Sequence, residues 1–118
     1  MIWANVAAGL MFLAVVLGAF GSHALKGQIS DHYLEVYKTG VLYHMIHALG
    51  LFALLWLSTM SADPRLGLAK YFMLAGIILF SGSLYILSIT GIKWLGAVTP
   101  LGGVSFLIAW GLVIFSRF

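Results

Sequence analysis

Nine charged side chains divide this sequence and leave four stretches with none at all: residues 1–25, 39–62, 71–92 and 94–116. The shortest holds 22 residues, and together they occupy 94 of the 118 positions. A helix needs about 20 apolar residues to cross the hydrocarbon core of a bilayer, so every stretch is long enough to span. A soluble domain is roughly one-quarter charged, because its surface must meet water. Here the share is 8%, against 63% hydrophobic. Those proportions exclude a soluble globular fold. They also exclude disorder, which goes with few apolar and aromatic residues. In lipid each backbone polar group must be bonded within the chain. The expected fold is therefore all-α: a single integral membrane domain over residues 1–118, built as a four-transmembrane-helix bundle.

Local signals place the helices at about 2–22, 41–58, 68–90 and 99–116. The first apolar run is longer than the 7–15 residues of a signal-peptide core, so it reads as a membrane helix, with Trp3 at the interface. Ala14, Gly18 and Ser22 recur every fourth residue along it, and small residues on one stripe let two helix backbones approach in lipid. Between Lys26 and Lys38 the chain is polar. Gly27 and Ser30 read as a stop and an N-cap, with Asp31 in the first turn, where an acid is favoured. Tyr33, Leu34, Tyr37 and Val41 share one face, and Asp31, Glu35 and Lys38 another. This pattern predicts a short interfacial amphipathic helix over about 31–40, bending near Gly40 into the second span. A turn at Asp63–Pro64 places the start of the third helix just afterwards, Gly91 marks its end, and Thr99–Pro100 the N-cap and first residue of the fourth. Three short links place both termini on one side. Orientation does not follow, because Lys and Arg divide three against three between the two sides.

Several chemistries drop out. Cysteine is absent, which removes disulfides and thiolate metal sites. The net charge of +3 is scattered, whereas nucleic acid requires clustered basic residues. No GxSxG, HExxH or glycine-rich phosphate loop occurs, and no intramembrane carboxylate pair. The reading is a protein without enzymatic activity, and no cofactor is expected.

The histidines are the first functional candidates. His44 and His47 share a helix face, and His47 lies roughly 13 Å beyond Lys38 along an upright helix. Ionisable groups at such depth face the bundle interior and take a partner. His23, at the end of the first helix, is expected to meet them. The three are weak candidates for a metal site, since zinc takes three or four N, O or S ligands; hydrogen bonding between helices is the commoner role, and no metal is assigned. On the third helix Ser81, Tyr85 and Ser88 share one face, while Gly76, Ser83 and Thr90 form a second stripe. Hydroxyls in membrane helices mostly bond backbone or a neighbouring helix. The candidate polar layer is thus His23, Tyr43, His44, His47, Ser81, Ser83 and Tyr85. The candidate packing residues are Ala14, Gly18, Ser22, Gly102 and Gly103.

Five ordered motifs carry a resemblance across nearly the whole chain: Gly18-Ala19-Phe20-Gly21-Ser22-His23-Ala24-Leu25; Thr39-Gly40-Val41 with Tyr43; His47-Ala48-Leu49; Phe80-Ser81-Gly82-Ser83-Leu84-Tyr85; and Thr99-Pro100-Leu101-Gly102-Gly103. They resemble the signature of the domain of unknown function 423 family, the small YgdD-like membrane proteins to which eukaryotic transmembrane protein 256 is related. The resemblance implies a four-helix integral protein, most often of the bacterial cytoplasmic (inner) membrane, and no assigned activity. His23 and His47 fall on motif positions. At position 44 the family more often carries Gln, which argues for hydrogen bonding there and against three metal ligands. The expected function is association with membrane lipid, a second copy or a larger membrane complex, through the His/Tyr/Ser layer and without nucleic acid. The alternative is a proton or metal-ion conduit using His23 and His47.

Overall fold

Ser30 and Asp63 each start a helix in the computed structural model, which describes residues 2–118. Ser30 adopts extended backbone and its hydroxyl accepts the Tyr33 N–H. Asp63 does the same for the Arg65 N–H, with Pro64 at the first helical position. Four helices result: α1 (Ile2–Leu25), α2 (Asp31–Ser58), α3 (Pro64–Thr90) and α4 (Lys93–Ile114), each long and apolar enough to cross a membrane. Glycine closes two of them. Gly27 (φ 84°) follows α1 and Gly91 (φ 73°) follows α3, both in the left-handed region that a Cβ disfavours. The long axis of 48 Å exceeds the ~30 Å hydrocarbon core and reaches the headgroup layers on both sides.

The chain runs up and down. α1 packs along α2, α3 along α4, and α2 against α3. Trp3 on α1 meets Tyr71 on α3 edge to face, with ring centroids 5.1 Å apart. Asp63 bonds the backbone of Arg117. Both termini and the α2–α3 link therefore share one end.

The polar segment after Ser30 is not a separate amphipathic helix. It forms the first turns of a 28-residue helix that passes Gly40 without a break. At 1.5 Å per residue that helix is about 42 Å long, so its opening turns, with the Glu35–Lys38 pair, stand outside the hydrocarbon. Gly40 serves a close approach instead of a bend. Its carbonyl accepts the Ser81 hydroxyl at 2.7 Å, and a Cβ there would come within 3.1 Å of the Tyr85 ring. The link at Ile92–Trp94 also differs from the reading, because Lys93–Ala97 is a 3₁₀ turn that opens α4. Thr99 is consequently inside a continuous helical run and caps nothing.

Two helices widen into π turns, Gly21–Leu25 at the end of α1 and Ile77–Ser81 within α3. In the latter the Gly82 N–H bonds the Ile77 carbonyl, five residues back. The extra residue rotates the following face by about 100°. That turn lets Ser81, Leu84 and Tyr85 face α2 after Gly76 and Phe80 have faced α4.

The interior is layered along α2. Leu25, Leu34 and Tyr37 form one apolar cluster. Leu51 and Leu54 join Leu66, Ala69, Met73, Phe106 and Ala109 in the larger one, nearer the termini. Gly40, His44 and His47 lie between.

At the terminal end a latch closes the bundle. Both oxygens of Asp63 accept backbone N–H groups, of Arg65 and of Arg117, at 2.9 Å, and Ser61 donates to the Arg117 carbonyl. The Asp63 carboxyl is held below its ordinary range by the Arg65 N–H first and the Arg117 N–H second. A lowered folded-state pKa means that the latch is fully made above the ordinary carboxylate range and loosens as pH falls through the lower folded value. Hydrogen exchange at the Arg117 amide, corrected for its intrinsic pH dependence, should show protection that declines on acidification. In Asp63→Ala that protection should be missing already at neutral pH. Equal protection in the two proteins would contradict the latch.

Candidate functional site

His47 is a buried ring with both nitrogens occupied. An indole can only donate, so the 3.0 Å bond from Trp110 Nε1 makes His47 Nε2 an acceptor. The ring proton is then on Nδ1, which donates to the Tyr43 carbonyl one turn back at 2.7 Å. The imidazole stacks on Phe106, with centroids 3.6 Å apart and planes 12° apart. α2, bonded to α4 through this pair, thus holds a neutral histidine of one fixed tautomer.

His44, one turn nearer the other end and fully buried, reaches α3 instead. Its Nδ1 lies 2.8 Å from the Tyr85 hydroxyl. Nε2 is buried with no hydrogen-bond partner among the described residues.

Several other hydroxyls tie helices together in pairs. Ser81 donates to Gly40 on α2. Ser83 meets Thr99 on α4 at 2.6 Å, and Ser105 on α4 donates to the Phe72 carbonyl on α3 at 2.7 Å. Tyr37 on α2 donates to the Leu17 carbonyl on α1 at 2.5 Å and packs on Tyr85. Ser88 and Thr90 turn back to carbonyls of their own helix.

His44, His47, Ser81, Ser83 and Tyr85 are therefore brought into one layer. His23 is not. It lies exposed in the π turn that ends α1, and the expected meeting of the imidazoles at 23 and 47 does not occur. The reason is local: in that turn Gly21 faces inward against the Tyr37 ring, which leaves Ser22 and His23 outward. Among the described residues no group of three or more His, Asp or Glu is placed to hold a metal ion. Tyr43 contributes its carbonyl and its ring, stacked near His47 and Phe80; its hydroxyl bonds none of the described residues. The small-residue face of α1 also shifts. Ala7, Ala14 and Gly21 are the buried positions, at intervals of seven, while Gly18 meets Val41 and Ser22 is exposed. Trp110, Phe106, Thr99, Ser105 and Tyr37 were missed. A signal existed for Trp110, since an indole N–H at mid-membrane depth needs an acceptor.

Beside the layer a groove opens between α2 and α4. It has a volume of about 730 Å³ and is lined by Leu42, Tyr43 and Ile46 on one wall, by Gly103, Leu107 and Trp110 on the other, and by His47 and Phe80 at its floor. Leu42, Ile46, Val104 and Leu107 are exposed at its rim, at mid-helix positions that face the hydrocarbon of a bilayer.

Residues 17–103, which hold the layer and one wall of the groove, match the family described as protein of unknown function DUF423. The chain belongs to this family. The UPF0382 membrane protein YwdK of Bacillus subtilis is 57% identical over 103 residues, covering 86% of this chain and 84% of that protein. The UPF0382 membrane protein SAB0533 of Staphylococcus aureus is 48% identical over 108 residues, covering 90% and 86%. SH2409, of the same name in Staphylococcus haemolyticus, is 42% identical over 106 residues, again covering 90% and 86%. No solved structure matches the chain. This DUF423 chain is thus a membrane protein with four apolar helices, and its similar relatives are bacterial membrane proteins with no activity in their names.

Proposed function

We propose that this DUF423 protein is a non-catalytic lipid-associating component of the bacterial cytoplasmic membrane, and that the groove between α2 and α4 receives a hydrocarbon chain. Of the associates open to such a protein, membrane lipid or a larger complex, the groove favours lipid. The observation that carries this reading is its lining: hydrocarbon and aromatic side chains, plus one imidazole whose two nitrogens are already bonded. Apart from the Tyr43 hydroxyl such walls offer nothing to a polar substrate, and they face the one solvent that fills apolar space at that depth. The His/Tyr/Ser layer then has a supporting role. It fixes α2, α3 and α4 at the spacing that leaves the groove open.

A conduit through His23 and His47 has less support. His23 is exposed at one end, and beyond His47 the α2 face continues as Leu51 and Leu54 into a closed apolar cluster. Proton flux in liposomes is expected to equal that of empty vesicles.

The test uses a variant whose only indole is Trp110, reconstituted in lipid with brominated acyl chains, which quench on contact. Trp110 fluorescence should be strongly quenched. Gly103→Leu, placed where a Cβ meets nothing nearer than Phe80 at 3.9 Å, should fill the groove and lower that quenching by about half. Unchanged quenching in a folded Gly103→Leu protein would refute chain occupancy.

A further inference from the structure

A second cavity, of about 610 Å³, lies at the terminal end between the start of α3 and the end of α4, where Arg65 and Arg117 flank Ile108, Leu112 and Phe115. The pairing of two guanidinium groups with an apolar wall differs from the groove above, and its place is different too. Arg65 opens α3 and Arg117 follows α4, which puts both at headgroup level. Ile108 and Leu112 continue from there toward the bilayer centre.

Among the described residues one acidic side chain lies nearby, and it does not cancel both charges. Asp63 is turned inward, its side chain 10% exposed, and each of its oxygens is taken by a backbone N–H. Its ion pair with Arg65 is long, 3.7 Å, and the Arg65 side chain is 44% exposed. Arg65 is positioned through Nη1, which donates to the Phe115 carbonyl. The Arg117 guanidinium bonds none of the described residues, although its backbone is fixed at both N–H and carbonyl. The result is a net positive pair of forked donors, held at the mouth of an apolar cavity in the interface. Arginine's planar fork suits a phosphate bidentately.

We propose that this cavity binds one anionic phospholipid, its phosphodiester between Arg65 and Arg117 and an acyl chain along Ile108, Leu112 and Phe115. The occupant follows from charge complementarity and from depth. A membrane lipid is the phosphate-bearing molecule that also offers a chain to the wall below. The site is independent of the α2–α4 groove, which needs no headgroup recognition.

Native mass spectrometry of the full chain in micelles holding equal phosphatidylglycerol and phosphatidylcholine tests it. The wild type should retain phosphatidylglycerol preferentially. Near a membrane surface each basic residue contributes about 1 kcal/mol, or roughly fivefold. Arg117→Gln should therefore lower the preference about fivefold, and the double variant Arg65→Gln/Arg117→Gln roughly 25-fold. Lys93→Gln, at the opposite end, should leave it unchanged, and added inorganic phosphate should not displace the lipid. Arg117→Lys keeps the charge but loses the planar fork, and should keep more of the preference than Arg117→Gln. An equal loss in Lys93→Gln would reveal general charge attraction, displacement by inorganic phosphate a free-anion site, and equal loss in Arg117→Lys and Arg117→Gln a folding fault. Each of these, like an unaltered preference in the double variant, would overturn the assignment.

Discussion

Gly102→Ala is expected to be the most damaging single-methyl change in this protein. A Cβ at that position would fall inside contact distance of the backbone N and Cα of Phe80 on α3. A side chain in the way can rotate aside, but backbone inside a helix cannot, so α3 and α4 would have to separate. Overpacking of this kind costs roughly 1–3 kcal/mol, more where nothing can yield, and we expect about 3 kcal/mol here. The gap would also disturb Ser83–Thr99 and Ser105–Phe72, hydrogen bonds that join these helices. Gly103→Ala is the control. Its Cβ would lie 3.9 Å from Phe80, and alanine's higher helix propensity, worth up to ~1 kcal/mol, should leave it neutral or slightly stabilised. Unfolding in mixed detergent and SDS micelles measures both. Equal stability of the two variants would show that α3 and α4 do not approach as described.

The second large effect is expected from His47→Leu. The substitution roughly keeps side-chain volume and puts an apolar group in an apolar setting, so a buried histidine that only fills space would tolerate it. Here it removes the acceptor of the Trp110 N–H and the stacked partner of Phe106. A donor left unpaired away from water costs about 1–3 kcal/mol, whereas a membrane hydrogen bond itself averages near 0.6 kcal/mol. We therefore expect a loss of about 2 kcal/mol, most of it the unpaired indole. Adding Trp110→Phe removes that donor and should recover roughly 1 kcal/mol, a coupling typical of residues in direct contact. His23→Ala, at an exposed position, should not change stability. Strictly additive costs for His47→Leu and Trp110→Phe would break the pairing, and a stability loss in His23→Ala would return that residue to the interior.

The expected results divide along what the residues themselves could and could not convey. Ser30 as a helix start, Asp63–Pro64 as a turn ahead of one, and Gly91 as a left-handed stop, are local matters. Each depends on hydrogen bonds or backbone angles within a few residues, and each was legible. His44, His47, Ser81 and Tyr85 were legible as a set because polar groups in lipid must find partners. Which partner each would find was not. His47 reaches Trp110, 63 positions away, and no periodicity encodes that distance. Gly40 shows the same limit. Its sequence context reads as a bend, yet the close approach of Tyr85 and the Ser81 bond keep the helix straight. His23 is expected inside, yet the π turn that ends α1 leaves its side chain outward.

Charge spacing alone determined that this chain crosses the membrane four times as helices, because unbonded backbone and buried charge are both too costly in hydrocarbon for another answer. Only the packed bundle decided which faces meet, which imidazole is shielded, and where space stays open between α2 and α4. Those outcomes rest on contacts between positions dozens of residues apart, whose fit depends on single methyl groups and on one extra residue in a helical turn.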